Sequence, residues 1–203
     1  RNRGKVIDYL LQKPNSAAAE AVRDLRTSLL LSNIDRPPKV IMSTSSVPGE
    51  GKTTQSVALA INLGGLDKRV LLMEGDVRRR SLSKALGLDK ADGYLRVLLG
   101  DAALSDIVVA LPDMGIDVLP SETSKGNAAD IFASETFGAM IQDLRQRYDY
   151  VIIDTPPVLA VTDARIIGGW ADTTIYSVRW DSTSARQVAE GLRILRQVNV
   201  TIG

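Results

Sequence analysis

Between Lys39 and Gln55 the chain reads K-V-I-M-S-T-S-S-V-P-G-E-G-K-T-T-Q: an apolar run, a loop with two glycines, then the start of a helical stretch. No other segment limits the possible folds as tightly. The octet Ser46, Val47, Pro48, Gly49, Glu50, Gly51, Lys52, Thr53 fits G-x-x-x-x-G-K-[ST] everywhere but at its first position. Phosphate oxygens need several N–H donors on a concave backbone. Gly49 and Gly51 remove the side chains that would block that approach, and a helix N-terminus adds the favourable end of its dipole. In such a loop Lys52 neutralises the outer phosphates, and the Thr53 hydroxyl, followed by Thr54, enters a Mg²⁺ shell. Ser46 replaces a glycine with another small residue and can make the same bend.

A loop of this kind belongs at the carboxyl end of a parallel strand, and the rest of the chain supplies the strands. Runs at 39–45, 69–75, 116–120, 150–154 and 173–178 are apolar on both faces and alternate with segments of helical period. Strands buried on both sides predict an α/β fold, a mostly parallel β-sheet with helices on both faces. In 134–148, Phe137, Met140, Ile141 and Leu144 make one helical stripe. Segment 17–32 has neither proline nor glycine and predicts a second helix, with Val22, Leu25 and Leu29 facing inward. Residues 87–115 read as loop-rich with short helices. A chain of 203 residues with no linker-like tract predicts one domain over 1–203, with a helix at 16–33 ahead of a nucleotide-binding core at 39–203.

Composition narrows the chemistry. There is no cysteine and no histidine, so carboxylates, hydroxyls, Lys, Arg and backbone amides must do the work. Lys and Arg total 25 against 24 Asp and Glu, a net charge of +1 that gives no reason to expect nucleic acid as a partner. The longest apolar runs fall far short of the roughly 20 residues that span a bilayer. The chain opens on Arg-Asn-Arg and stops at N-V-T-I-G, where another strand is expected to begin, so a fragment of a longer protein is expected.

Two further runs end in acids. Y-V-I-I-D-T-P-P places Asp154 at the carboxyl edge of the sheet, beside the loop. V-L-L-M-E-G-D-V-R-R-R ends in Glu74 and Asp76, which strand alternation would turn to the same side. Paired carboxylates beside a phosphate loop can hold Mg²⁺ and accept a proton from an attacking hydroxyl.

Together these segments resemble the cytoplasmic domain of bacterial tyrosine kinases, the autokinases of capsule and exopolysaccharide assembly. That family lies in the deviant-Walker class of P-loop ATPases that includes ParA and MinD proteins. The resemblance covers nearly the whole chain: S-S-V-P-G-E-G-K-T-T matches Walker A, V-L-L-M-E-G-D-V-R-R-R Walker A′ and Y-V-I-I-D-T-P-P Walker B. Val47 stands where ParA and MinD proteins carry a second lysine, which favours the kinase branch. E-A-V-R-D-L-R fits the family's E-x-x-R-x-x-R helix, through which kinase domains associate into rings. Glu20, Arg23 and Arg26 advance by about 60° per step and predict a charged ridge apart from the inward stripe.

The resemblance implies a protein-tyrosine autokinase. ATP and Mg²⁺ would sit on residues 46–54, with Lys52 on the phosphates and Thr53, Asp76 and Asp154 in or around the metal shell. A tyrosine from a neighbouring subunit's tail would attack, and its proton would pass to Glu74. The resemblance also implies a ring-like homo-oligomer, a transmembrane activator domain or segment, polysaccharide machinery as partner, and a place at the cytoplasmic face of the bacterial inner membrane. The chain departs from the family at Glu74, where Asp is usual, and at Arg80, where proline is usual; Arg78 keeps a family position. The five tyrosines, Tyr9, Tyr94, Tyr148, Tyr150 and Tyr176, are scattered, so the clustered acceptors are expected beyond Gly203. Two alternatives stay open: a ParA/MinD-like ATPase switch, and an ATP-responsive assembly module with weakened transfer.

Overall fold

A computed structural model describes residues 5–32, 37–123 and 127–202. In chain order the elements are α1 (Lys5–Gln12), α2 (Ala17–Leu31), β1 (Val40–Ser45), α3 (Lys52–Gly64), β2 (Val70–Glu74), α4 (Ser81–Ala85), α5 (Leu95–Leu98) and α6 (Leu104–Ile107). There follow β3 (Val109–Leu111), a 3₁₀ turn, β4 (Ile116–Leu119), α7 (Ala128–Ala133), α8 (Glu135–Arg147), β5 (Tyr150–Asp154), α9 (Asp163–Gly168), β6 (Thr173–Ser177) and α10 (Ala185–Gln197).

The six strands form one sheet in the order β3-β4-β2-β5-β1-β6, parallel throughout except that β3 runs antiparallel to β4 at the edge. This is the mostly parallel sheet that the doubly apolar runs predict. Strand β3 falls in the stretch expected to be loop and short helix. Its three residues alternate across a half-exposed edge, too short a run to show a period. Past α10, Ile202 bridges Thr174 in parallel, where the sequence leads one to expect a strand.

Alternation along the strands feeds two cores. Val40, Met42, Leu71, Met73, Val151 and Ile153 pack on one face against α8, α9 and α10, through Phe137, Ile141, Ile167 and Leu195. Ile41, Leu72 and Ile152 pack on the other against α3, α4 and α2, through Val57, Leu63, Leu82 and Leu29. Local chemistry starts the helices: Ser16, Ser134 and Ser184 each accept a backbone N–H in the first turn of α2, α8 and α10. Asp172 ties the elements together, accepting from the Lys39 and Val40 amides at 2.9 and 2.8 Å and from both Nη atoms of Arg145 at 2.8 Å.

Because α2 packs on α3, the predicted ridge on α2 divides. Arg23 pairs with Glu20 at the surface, whereas Arg26 turns inward and donates to Asn62 Oδ1 on α3 at 2.7 Å. Arg26 follows Val22 by four residues, only about 40° round the helix, so it lies beside the inward stripe rather than apart from it.

Candidate nucleotide site

Strand β1 delivers the loop 46–51 to the carboxyl edge of the sheet, and α3 begins at Lys52. Gly49 and Gly51 have φ of +87° and +85°, a left-handed backbone that a side chain would strain. Nothing lies within 4 Å of where their Cβ atoms would be, so the concave side is open to a ligand. Below the loop lies Asp154, fully buried at the end of β5. Its Oδ2 accepts from Thr53 Oγ1 at 2.7 Å and its Oδ1 from Ser56 Oγ at 3.3 Å, with Lys52 Nζ 3.8 Å away. Burial pushes the Asp154 carboxyl up; the Lys52 charge and the two hydroxyls oppose that rise, and nearby Asp76 adds to it.

Opposite this cluster, Asp76 and Arg79 complete a cleft of about 310 Å³ with Gly49, Lys52, Thr53 and Ser81. Asp76 Oδ1 accepts the backbone N–H groups of Arg78 and Arg79 at 3.2 and 2.9 Å, which fixes the turn after β2. Of the expected site residues the structure brings the 48–54 loop, Asp76 and Asp154 together.

Glu74, the last residue of β2, is not among the residues that line the cleft. The Glu74 carboxylate is fully buried under α4. It accepts from Leu82 N at 3.0 Å, Ser83 N at 2.8 Å and Ser83 Oγ at 2.5 Å, satisfying the free amides of the first turn of α4. Burial pushes this carboxyl up to about 7, against the pull of the bonds from Ser83 and Leu82, and the Asp154 charge adds to the rise.

Several contacts could not be seen in the sequence. Ser46 Oγ hydrogen-bonds the Tyr176 hydroxyl at 2.8 Å, so the residue in place of glycine is braced by β6. Glu50 folds back to accept from Val47 N at 2.7 Å, and its other oxygen takes Thr183 Oγ1 at 2.5 Å and Arg179 N at 3.2 Å. Arg78 is held by buried Asp163, while Arg79 reaches the cleft. Of the tyrosines in the core, Tyr94 is fully buried, Tyr148 donates to Asp117 and Tyr176 meets Ser46.

The residues present fit a nucleotide with its metal. Among the described residues no three carboxylates cluster as a metal cage. Mg²⁺ does not require one, because it is commonly held by one or two carboxylates plus phosphate oxygens. Loop, cleft and sheet edge together define a P-loop nucleotide-binding domain.

The comparisons agree and go further. The AAA domain family matches residues 38–202. Tyrosine-protein kinase YwqD of Bacillus subtilis is 33% identical over 198 residues, 96% of this chain and 84% of that protein. Tyrosine-protein kinase etk of Escherichia coli is 30% identical over all 203 residues, which span only 28% of its length. The solved kinase domain of E. coli ETK superposes with a TM-score of 0.90 at 28% identity, covering 100% of this chain and 80% of that one. The MinD protein of Pyrococcus horikoshii, complexed with Mg-ADP, reaches 0.67 at 25% identity, covering 81% and 67%. This chain belongs to the bacterial tyrosine-protein kinases. Its fold is that of the solved ETK kinase domain, built on a P-loop. Among the described residues no helix is long and apolar enough to cross a membrane.

Proposed function

We propose that the domain binds ATP with Mg²⁺ in the cleft over residues 46–54 and transfers the terminal phosphoryl group to tyrosines of a neighbouring copy. The observation that carries this reading is the Lys52, Thr53 and Asp154 cluster facing Asp76 across one cleft. Lys52 takes the outer phosphates, and its companion Asp154 orders the Thr53 hydroxyl toward the metal position. Mg²⁺ held beside Thr53 would supply charge neutralisation on the phosphates. The phenol oxygen bonds to the γ phosphorus as the bridging bond to the β phosphate breaks, and ADP leaves. Asp76, the carboxylate that lines the cleft, takes the phenol proton directly or through water.

An acceptor outside the core is supported by the state of the core tyrosines, and its delivery by a neighbouring copy follows the family resemblance. Tyr94, Tyr148 and Tyr176 are buried or bonded, so the acceptor has to come from a more exposed segment. Self-association would use the exposed Glu20 and the half-buried Arg23 of α2, with Arg26 fixing α2 to α3. Following the family resemblance, the domain would regulate exopolysaccharide export at the cytoplasmic face of the inner membrane, next to a transmembrane activator segment. A mixing experiment tests the transfer: full-length Lys52→Ala protein, unable to hold the phosphates, is incubated with active protein and ATP. Phosphotyrosine on the Lys52→Ala copies is expected; phosphotyrosine on the active copies alone would restrict the reaction to one chain. The enclosure of Glu74 favours one second reading, an ATP-responsive assembly module with slow transfer; it predicts ATP-dependent oligomers without phosphotyrosine.

A further inference from the structure

Three arginines follow Asp76, and they are not equivalent. Arg78 is tied to Asp163, and Arg80 donates from Nη1 to the Asp89 carbonyl at 3.0 Å. Arg79 is exposed, lines the cleft beside Asp76 and Lys52, and has no side-chain partner among the described residues. The turn carrying it is fastened at both ends by a carboxylate: Asp76 at its start, through the Arg78 and Arg79 amides, and Glu74 at its end, through Leu82 and Ser83. Between these anchors Arg80 adopts φ +51°, a conformation closed to the proline usual in the family. An aspartate at 74, shorter by one C–C bond of about 1.5 Å, would not reach the amides of α4 from the end of β2.

We propose that Glu74 is a positioning residue of the cleft: by fastening the first turn of α4 it holds Arg79 in the cleft wall, where Arg79 binds the terminal phosphate of a nucleoside triphosphate. This rests on the triphosphate reading of the cleft. The loop amides serve the inner phosphates and Lys52 the outer ones, while Asp76 lines the facing wall of the cleft. A cation next to Asp76 then faces the end of the phosphate chain, which a diphosphate lacks. Arginine suits the task, since its planar fork can bind two phosphate oxygens at once.

The test compares heats of binding for Mg²⁺ with ADP and with a non-hydrolysable ATP analogue. Wild type, Arg79→Ala, Arg79→Lys and Glu74→Asp are measured as full chains. Arg79→Ala is expected to weaken the analogue at least about tenfold while ADP changes less than about twofold, and Arg79→Lys to recover part of the loss. Glu74→Asp is expected to show the same selective loss, with phosphotransfer falling in step. If Glu74→Asp does not fold, Glu74→Gln, which keeps the length and one acceptor oxygen, takes its place with the same expectation. Equal weakening of both nucleotides in Arg79→Ala, or of neither, would overturn the role of Arg79. Faster transfer with unchanged nucleotide preference in Glu74→Asp would return Glu74 to the role of proton acceptor. Wild type that binds neither nucleotide would instead defeat the underlying reading of the cleft.

Discussion

Ser46 shows how a residue that looks merely tolerated in the sequence can be held by the fold. Its hydroxyl meets that of Tyr176, and Tyr176 fits only because position 191 on α10 is glycine: a Cβ there would lie 1.9 Å from the Tyr176 hydroxyl oxygen. Gly191→Ala is therefore expected to displace Tyr176 and cost about 1–3 kcal/mol in urea unfolding, and to weaken nucleotide binding through the loosened loop. An unchanged midpoint and affinity would show that the brace is dispensable. Nothing local in the sequence links positions 46, 176 and 191, because their contact exists only once β1, β6 and α10 have packed. Lys52 and Thr53 were legible for the opposite reason: their spacing is set within one loop and one helical turn.

Asp172 makes a second prediction at this scale. Burial works against its charge, but hydrogen bonds from Arg145 and from the Val40 and Lys39 amides outweigh it and hold the carboxyl below the usual range. Folding thus favours the ionised form. The contribution to stability is present above the ordinary aspartate value and is lost as pH falls through the lowered one. Asp172→Asn should cost about 1–2 kcal/mol near pH 7 by urea unfolding, with the gap from wild type narrowing as pH falls below the ordinary aspartate value. A gap that stays constant over that range would remove the ionised clamp.

At the level of elements, the apolar runs located β1, β2, β4, β5 and β6 because burial on both faces leaves a mark in each. Strand β3 left no such mark in three residues at an edge. At Glu74 alternation describes the strand but not what packs over its end, because the α4 amides that engage this carboxylate lie eight and nine residues downstream. Helix α2 divides its predicted ridge between a surface pair and an inward arginine. Arg26→Ala should lower the melting temperature, consistent with a loss of about 1 kcal/mol, without changing the mass in solution. Glu20→Arg should leave the melting temperature near wild type and reduce the mass of any oligomer, as read by light scattering. The reverse pattern would assign Arg26, not Glu20, to the contact between copies.

For the whole molecule, sheet order, loop and acids converge on one cleft, and the chain's relatives are tyrosine-protein kinases. A P-loop alone would suit a switch as well as a kinase. The distinction rests on whether the phosphoryl group ends on tyrosine or in water, and that can be measured directly. Full-length protein incubated with ATP labelled at the γ phosphate and Mg²⁺ is expected to acquire acid-stable phosphotyrosine, and Lys52→Ala to reduce the rate at least about a hundredfold. Release of labelled inorganic phosphate with no phosphotyrosine on the wild-type chain would contradict the account.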